Sequence, residues 1–239
     1  MTSLRSADYV SHLDRELTAY AAALGAAVTS PVLLDRPIPA CPGWNARDLT
    51  HHLISVHAWV AQALLGGGDN KPEMPEDKAL LRGFSASATF LREVLDAPGD
   101  TACWTFTEAR TVIFWQRRQS HENAIHRWDL ESALGHDGQL DPDLAADGID
   151  EVVTMFWPRQ IQLGRAKEPD EQVRLRSLTG CEWVIGRLGP ADDPCATVSG
   201  STEDLCLALW GRIGWDDRSL TWSGDRTTAA AVLSRSLVP

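Results

Sequence analysis

The hydrophobic period of this chain changes once, and that change limits what it can fold into. Up to about residue 162 apolar residues recur at three- and four-residue spacings, as on amphipathic helices; from Val173 to Leu178 they alternate with period two, as on a half-buried strand. The sequence therefore predicts an α+β protein, with a helical bundle over residues 1–165 followed by a smaller α/β domain over residues 166–239. The polar stretch from Gly164 to Glu171 is the expected boundary.

Within the first part, Val10, Leu13, Leu17, Tyr20, Ala21 and Leu24 predict a helix over residues 7–28. Asn45 caps a second, with Asp48 in its first turn, and the stretch Gly66 to Asn70 ends it after Leu65. A third fits residues 77–95, with Leu80, Leu81, Phe84, Ala88, Leu91 and Leu95 on its apolar face, and a fourth fits 111–134. Asp141-Pro142 opens a fifth that reaches about Gln162. In the second part, strands are expected at 173–178, 183–188 and 196–198. Ser201 caps a helix through Trp210, and a last helix fits 227–237.

The net charge of −11, with no basic block to offset it, argues against nucleic acid or an anionic membrane as partner. Apolar runs such as Ala21 to Val28 fall short of the ~20 residues that span a bilayer, and Met1 to Ser6 lacks the regions of a signal peptide. Five cysteines, an odd number without Cys-x-x-Cys spacing, argue against a disulfide scaffold or a zinc ribbon and for a reducing cytoplasm. Ten tryptophans are more than packing requires, although burial accounts for them too.

The chemistry-bearing residues lie on the second and fourth helices. His121 and His126 are about 140° apart around a helix and cannot share an ion, whereas Glu122 and His126, four apart, share a face. On the second helix His52 lies in register with Leu49, Val56, Val60 and Ala63 and so faces inward; His51 is turned about 100° away. His52, Glu122 and His126 together would make a metal site with open positions. The spacing equally allows a hydrogen-bonded core histidine beside a surface Glu–His pair.

Cys41-Pro42-Gly43-Trp44, then Arg47-Asp48-Leu49-x-x-His52-Leu53, then Trp115-x-x-Arg118-x-x-x-Glu122-x-x-x-His126-Arg127-Trp128-Asp129, resemble the mycothiol-dependent maleylpyruvate isomerase family, part of the DinB-like group of metal-binding four-helix proteins. Gly200 to Arg212 and Gly224-Asp225 also look like that family's second, α/β domain. The resemblance implies a divalent metal, usually zinc, on His52, Glu122 and His126, and mycothiol as the low-molecular-weight thiol. It further implies an enzyme that adds this thiol to a small electrophile, giving cis-trans isomerisation or S-transfer. A non-catalytic metal-binding or regulatory protein on the same fold is the alternative, and a monomer or weak dimer is expected in either case.

Supporting roles stay open in the sequence. Asp129 can orient a ligand imidazole or pair with Arg127; Arg118 can pair with Glu122 or with a substrate carboxylate. His57 is an acid–base candidate at the pocket mouth, or else a packing residue. Arg212 is a candidate anion contact for the cofactor, or a solvated helix end. Cys41 reads as a small buried apolar residue.

Overall fold

The computed structural model describes residues 4–66, 74–190, 193–235 and 237–239. Contacts divide the chain into two compact units, Leu4–Gln139 and Leu140–Pro239.

The first unit is built on four long helices: α1 (Ser6–Ala27), α3 (Ala46–Leu65), α4 (Leu80–Leu95) and α5 (Val112–Leu134), with a short helix α2 (Pro31–Leu34) after the first. Contacts join α1 to α5, α5 to α3, α3 to α4 and α4 to α1, which closes a four-helix bundle. Most predicted apolar positions lie in its core, with Leu13, Leu17, Leu24, Leu49, Phe84 and Leu91 at 0–1% exposure; on α3 the buried face runs through Leu53 and His57, and the expected Val56 and Ala63 are half-buried. Each fully buried apolar side chain contributes roughly 1.5–3 kcal/mol by leaving water. Tyr20 carries a hydroxyl into this core and pairs it with Thr50 Oγ1 at 2.9 Å, so the burial leaves no polar atom stranded there.

Asn45 caps α3 as the sequence predicts. Its side chain accepts from Arg47 N and Asp48 N, while Asp48 accepts from the Asn45 N–H, a reciprocal capping box that sets the phase of the helix. Gly66, at φ +66°, ends it; the rest of that glycine stretch, from Gly67, lies outside the described residues.

The second unit begins with α6 (Pro142–Glu151), a π-helical turn (Val152–Phe156) and α7 (Trp157–Gln162), which together make the predicted fifth helix. Pro158 explains the wide turn, because it has no N–H for the helical ladder and its ring crowds the preceding turn. Four strands follow, β1 (Gln172–Ser177), β2 (Glu182–Gly186), β3 (Ala196–Gly200) and β4 (Thr221–Gly224), with α8 (Thr202–Leu209) between the last two and α9 (Arg226–Leu233) at the end. The order across the sheet is β2-β1-β3-β4; β1 and β3 are parallel and both outer pairs antiparallel. Val173 and Leu175, the alternating apolar positions of β1, pair with Ile185 and Trp183 on one side and with Ala196 and Val198 on the other.

The expected boundary at 165/166 thus falls between α7 and β1, inside the second compact unit, which begins at Leu140. The helical run from Pro142 belongs with the sheet: α6 packs on α8, and Trp157 Nε1 donates to Gly186 O at 2.6 Å. A change of hydrophobic period marks a change of secondary structure, and a compact unit can contain both kinds. Among the described residues no helix is long and apolar enough to cross a membrane.

Candidate metal centre

On α3 and α5, His52, Glu122 and His126 converge. Glu122 Oε1 lies 3.1 Å from His52 Nε2 and 3.4 Å from His126 Nε2, so one carboxylate oxygen faces two imidazole nitrogens. The other oxygen, Oε2, accepts from Arg118 Nη2 at 2.8 Å. On the far side of its ring His126 Nδ1 meets Asp129 Oδ2 at 2.9 Å. The side chains of His52, Glu122 and His126 are 31%, 17% and 12% exposed, whereas Asp129 is at 0%. The three donors therefore keep one open side, and the carboxylate behind them is sealed.

This donor set fits a divalent ion. Bonds of about 2.0–2.2 Å in a tetrahedral arrangement place ligand atoms roughly 3.3 Å apart, which is the spacing found around Glu122 Oε1. Asp129 takes the Nδ1–H of His126 and leaves the Nε2 lone pair for an ion, the arrangement that metal-bound histidines adopt. Charge points the same way. Burial pushes the Glu122 carboxyl up, yet hydrogen bonding from His126 and His52 and the Arg118 charge hold it well below the usual carboxylate range. Burial pulls His126 down, but Asp129 and Glu122 outweigh it and favour positive charge at that imidazole. A cation placed among these atoms meets the same demand.

Among the described residues, Cys41, His126 and Asp129 make a second close group that shares His126. Cys41 Sγ lies 3.9 Å from Asp129 Oδ2, so the thiol backs the carboxylate. The turn that brings it there is the Cys-Pro-Gly-Trp segment: Cys41 N bonds Ile38 O, Trp44 N bonds Cys41 O, and Gly43 takes φ +85°. The same turn lays the Trp44 ring 4.9 Å from that of His52. Sequence reasoning missed Trp44 and read Cys41 as buried; the thiol is half-buried and sits behind the donors. Both residues fall in a motif whose loop geometry cannot be derived from helical period.

Of the two partners open to Asp129, the structure gives it His126, because Arg127 is engaged by Glu16 and Glu131. Arg118 pairs with Glu122. His57 is not at a pocket mouth: it is 1% exposed, and its two nitrogens meet Ser87 Oγ and Asn123 Oδ1 at 3.1 and 3.0 Å. Burial lowers it to about 4, the value of a neutral core imidazole. Five residues from His52, it is turned about 140° around α3 and points between α4 and α5. His51 bonds Pro75 O and is not among the converging donors. Arg212, after α8 in the second unit, donates to Trp210 O at 2.7 Å.

Comparison with known proteins adds to this geometry. Residues 14–131, which include all three donors, match the profile of the mycothiol maleylpyruvate isomerase N-terminal domain, and residues 143–231 match that of the MDMPI C-terminal domain. An uncharacterized protein of Mycobacterium tuberculosis is 28% identical over 134 residues, covering 53% of this chain and 68% of its own. The crystal structure of a mycothiol-dependent maleylpyruvate isomerase superposes with a TM-score of 0.67 at 14% identity, over 93% of this chain and 96% of that one. A histidine-to-alanine mutant of that isomerase gives 0.66 over the same shares, again at 14% identity. With both domain profiles matched in order along most of its length, the chain belongs to the mycothiol maleylpyruvate isomerase family.

Proposed function

We propose that this protein is an enzyme that binds one divalent ion, zinc by preference, through His52, Glu122 and His126, and uses it with mycothiol to isomerise a small electrophilic alkene. The observation that carries the reading is the convergence of two Nε2 atoms on one carboxylate oxygen with an open side. When bound, the ion supplies the positive charge that keeps an external thiol deprotonated near neutral pH, where a free thiol titrates at about 8.5.

The chain's own residues hold that arrangement. Asp129 fixes the ring and tautomer of His126, Arg118 fixes Glu122 through the oxygen turned away from the histidines, and Trp44 packs beside the His52 ring. The thiolate adds to the activated carbon, and the electron pair of the double bond moves onto the neighbouring carbonyl. Rotation about the resulting single bond and expulsion of the thiolate restore the double bond in the trans form, with no net change in the thiol. If the adduct is retained, the same residues give S-transfer. The 31% exposure of His52 favours an enzyme over a sealed metal-binding protein. A low-molecular-weight thiol and five cysteines outside any disulfide suit a reducing compartment.

The test joins metal analysis to turnover. The parent should bind about one zinc per chain and isomerise maleylpyruvate only with mycothiol, while His52→Ala, Glu122→Ala and His126→Ala should each lose the metal and the activity together. Full zinc occupancy in all three variants would sink the ligand assignment. Turnover by the parent without added thiol would sink the role of mycothiol.

A further inference from the structure

Two stripes leave the donor triad and meet again two helical turns away. Trp59 follows His52 by seven residues on α3, and Trp115 precedes Glu122 by seven on α5. Seven residues bring a helix back to within about 20° of its starting direction after a rise of about 10.5 Å. The helices run antiparallel here, since His52 Nε2 meets Glu122 Oε1 at 3.1 Å and the rings of Trp59 and Trp115 lie 5.0 Å apart. One seam therefore carries the polar triad at one end and a cluster of rings at the other.

The loop before α5 completes the cluster. Trp104 and Phe106 stand 6.0 and 6.1 Å from Trp59, and Trp104 stands 6.2 Å from Trp115. Core packing accounts for Trp115, at 0% exposure, but not for Trp59 and Trp104, which are 42% and 47% exposed. Two neighbouring indoles left open on the seam that leads to the triad make an apolar wall. Between them and His52, Ser55 and Val56 are half-buried, with Ser55 Oγ 3.9 Å from Met74 Sδ, so this side of α3 is partly covered but not sealed.

Polar atoms beneath the wall are already used. Trp115 Nε1 donates to Trp104 O at 2.7 Å, and Thr105 Oγ1 bonds the carbonyls of Thr107 and Ala109. Flat carbon surface with few free hydrogen bonds suits an aromatic ring better than a sugar, whose hydroxyls need partners. Midway lies Gln119, within about 60° of Trp115, Glu122 and His126 around α5. It is 1% exposed, and its Oε1 is buried with no hydrogen-bond partner among the described residues. A ligand N–H at mid-length would satisfy it.

We propose that the α3/α5 seam accepts an electrophile about 10 Å long, with a flat ring on Trp59 and Trp104, a hydrogen-bond donor near Gln119 and its activated double bond beside the triad. This rests on the reading of the triad given above and names the class of substrate it takes.

The test uses two saturated compounds that cannot accept a thiol, N-(4-phenylbutyl)succinamic acid and N-butylsuccinamic acid, titrated calorimetrically into the zinc-loaded protein. The phenyl compound should bind the parent about tenfold more tightly or better, and Trp59→Ala or Trp104→Ala should cut that preference to about threefold or less. Trp59→Phe, which keeps a ring, should retain most of it. Gln119→Leu should weaken both compounds by a similar factor, since both carry the amide N–H. Equal binding of the two compounds to the parent, no binding of either, or a preference that survives in both tryptophan variants would overturn the proposal. So would a mycothiol effect that weakens the phenyl compound much more than the butyl compound, which would give the wall to the thiol. Zinc content of the parent, measured apart, separates the two readings. A zinc-free parent that still prefers the ring removes the triad and leaves the wall; a zinc-binding parent without preference does the reverse.

Discussion

Helix α5 carries two clusters of charge on different faces, and they are finished differently. Toward α1, Arg127 donates to Glu16 at 2.6 Å, to Glu131 at 2.6 Å and to the Gln139 carbonyl at 2.7 Å, so every guanidinium nitrogen has a partner. Toward α3, Glu122 gathers two histidines and an arginine, and the donors leave an open side. Both clusters are built from carboxylates and cations, but Arg127 and Glu16 are 7% and 8% exposed, whereas His52 and Glu122 are 31% and 17%. The difference lies in chemistry and access: Arg127 has a partner on every nitrogen and can only hold helices together, whereas two imidazoles bonded to one partly exposed carboxylate are groups that a divalent ion could take over.

The largest effect should separate the two clusters by stability. Arg127→Met strands Glu16 at 8% side-chain exposure and should cost about 3–5 kcal/mol in chemical denaturation. His52→Ala, measured without metal, removes a partly exposed side chain and should cost about 1 kcal/mol or less. If His52→Ala proved as costly as Arg127→Met, both clusters would be structural and the distinction would fail.

A second contrast sets His57 against the histidines of the triad. His57 is held neutral by burial, with its value lowered to about 4 from an ordinary 6.5. The unfolded chain therefore binds a proton at this residue between about pH 6.5 and 4 that the folded chain does not, and stability must fall as pH drops through that window. The loss approaches about 3 kcal/mol at the acid end. His57→Gln can keep bonds to Ser87 and Asn123 while removing the titration, so its stability should decline less steeply over the same range. Parallel slopes for parent and variant would show that His57 is not the group that titrates.

Much of this was legible in the sequence, and the rest was not for identifiable reasons. Helical period and capping placed α1, α3, α4 and α5, and the i, i+4 rule put Glu122 and His126 on one face; spacing left His52 open as their third partner, and the family resemblance supplied it. β4 left no trace because it is four residues long, pairs only at the edge beside β3, and is largely exposed, so no alternation is imposed on it. The saturation of Arg127 and the burial of His57 depend on which helix lies opposite, and residues 111 and 66 positions away supply their partners. Local pattern carries a residue's direction; it does not carry its neighbour's identity.

Asp129 connects the two kinds of cluster, since it is sealed like Glu16 yet bonded to a donor of the open site. Asp129→Asn keeps the shape and an acceptor for His126 Nδ1–H but removes the charge. Zinc affinity, read by competition with a chromophoric chelator, should fall about 10- to 100-fold. Unchanged affinity would place Asp129 with the structural charges.

The smallest effect is expected at Cys41, and it decides whose sulfur matters. The thiol lies 3.9 Å from Asp129 Oδ2, and that carboxylate meets His126 at Nδ1, whereas Glu122 Oε1 faces Nε2 across the imidazole ring. An S–H to carboxylate contact at that length is weak, and Asp129 retains His126 without it. Cys41→Ala should therefore change zinc affinity by about threefold or less and leave mycothiol-dependent turnover in place. The measurement to make is turnover of parent and variant with and without mycothiol. Thiol-independent activity in the parent that disappears in Cys41→Ala would move the nucleophile into the protein, and the side of His126 facing Asp129 would then be the reactive one.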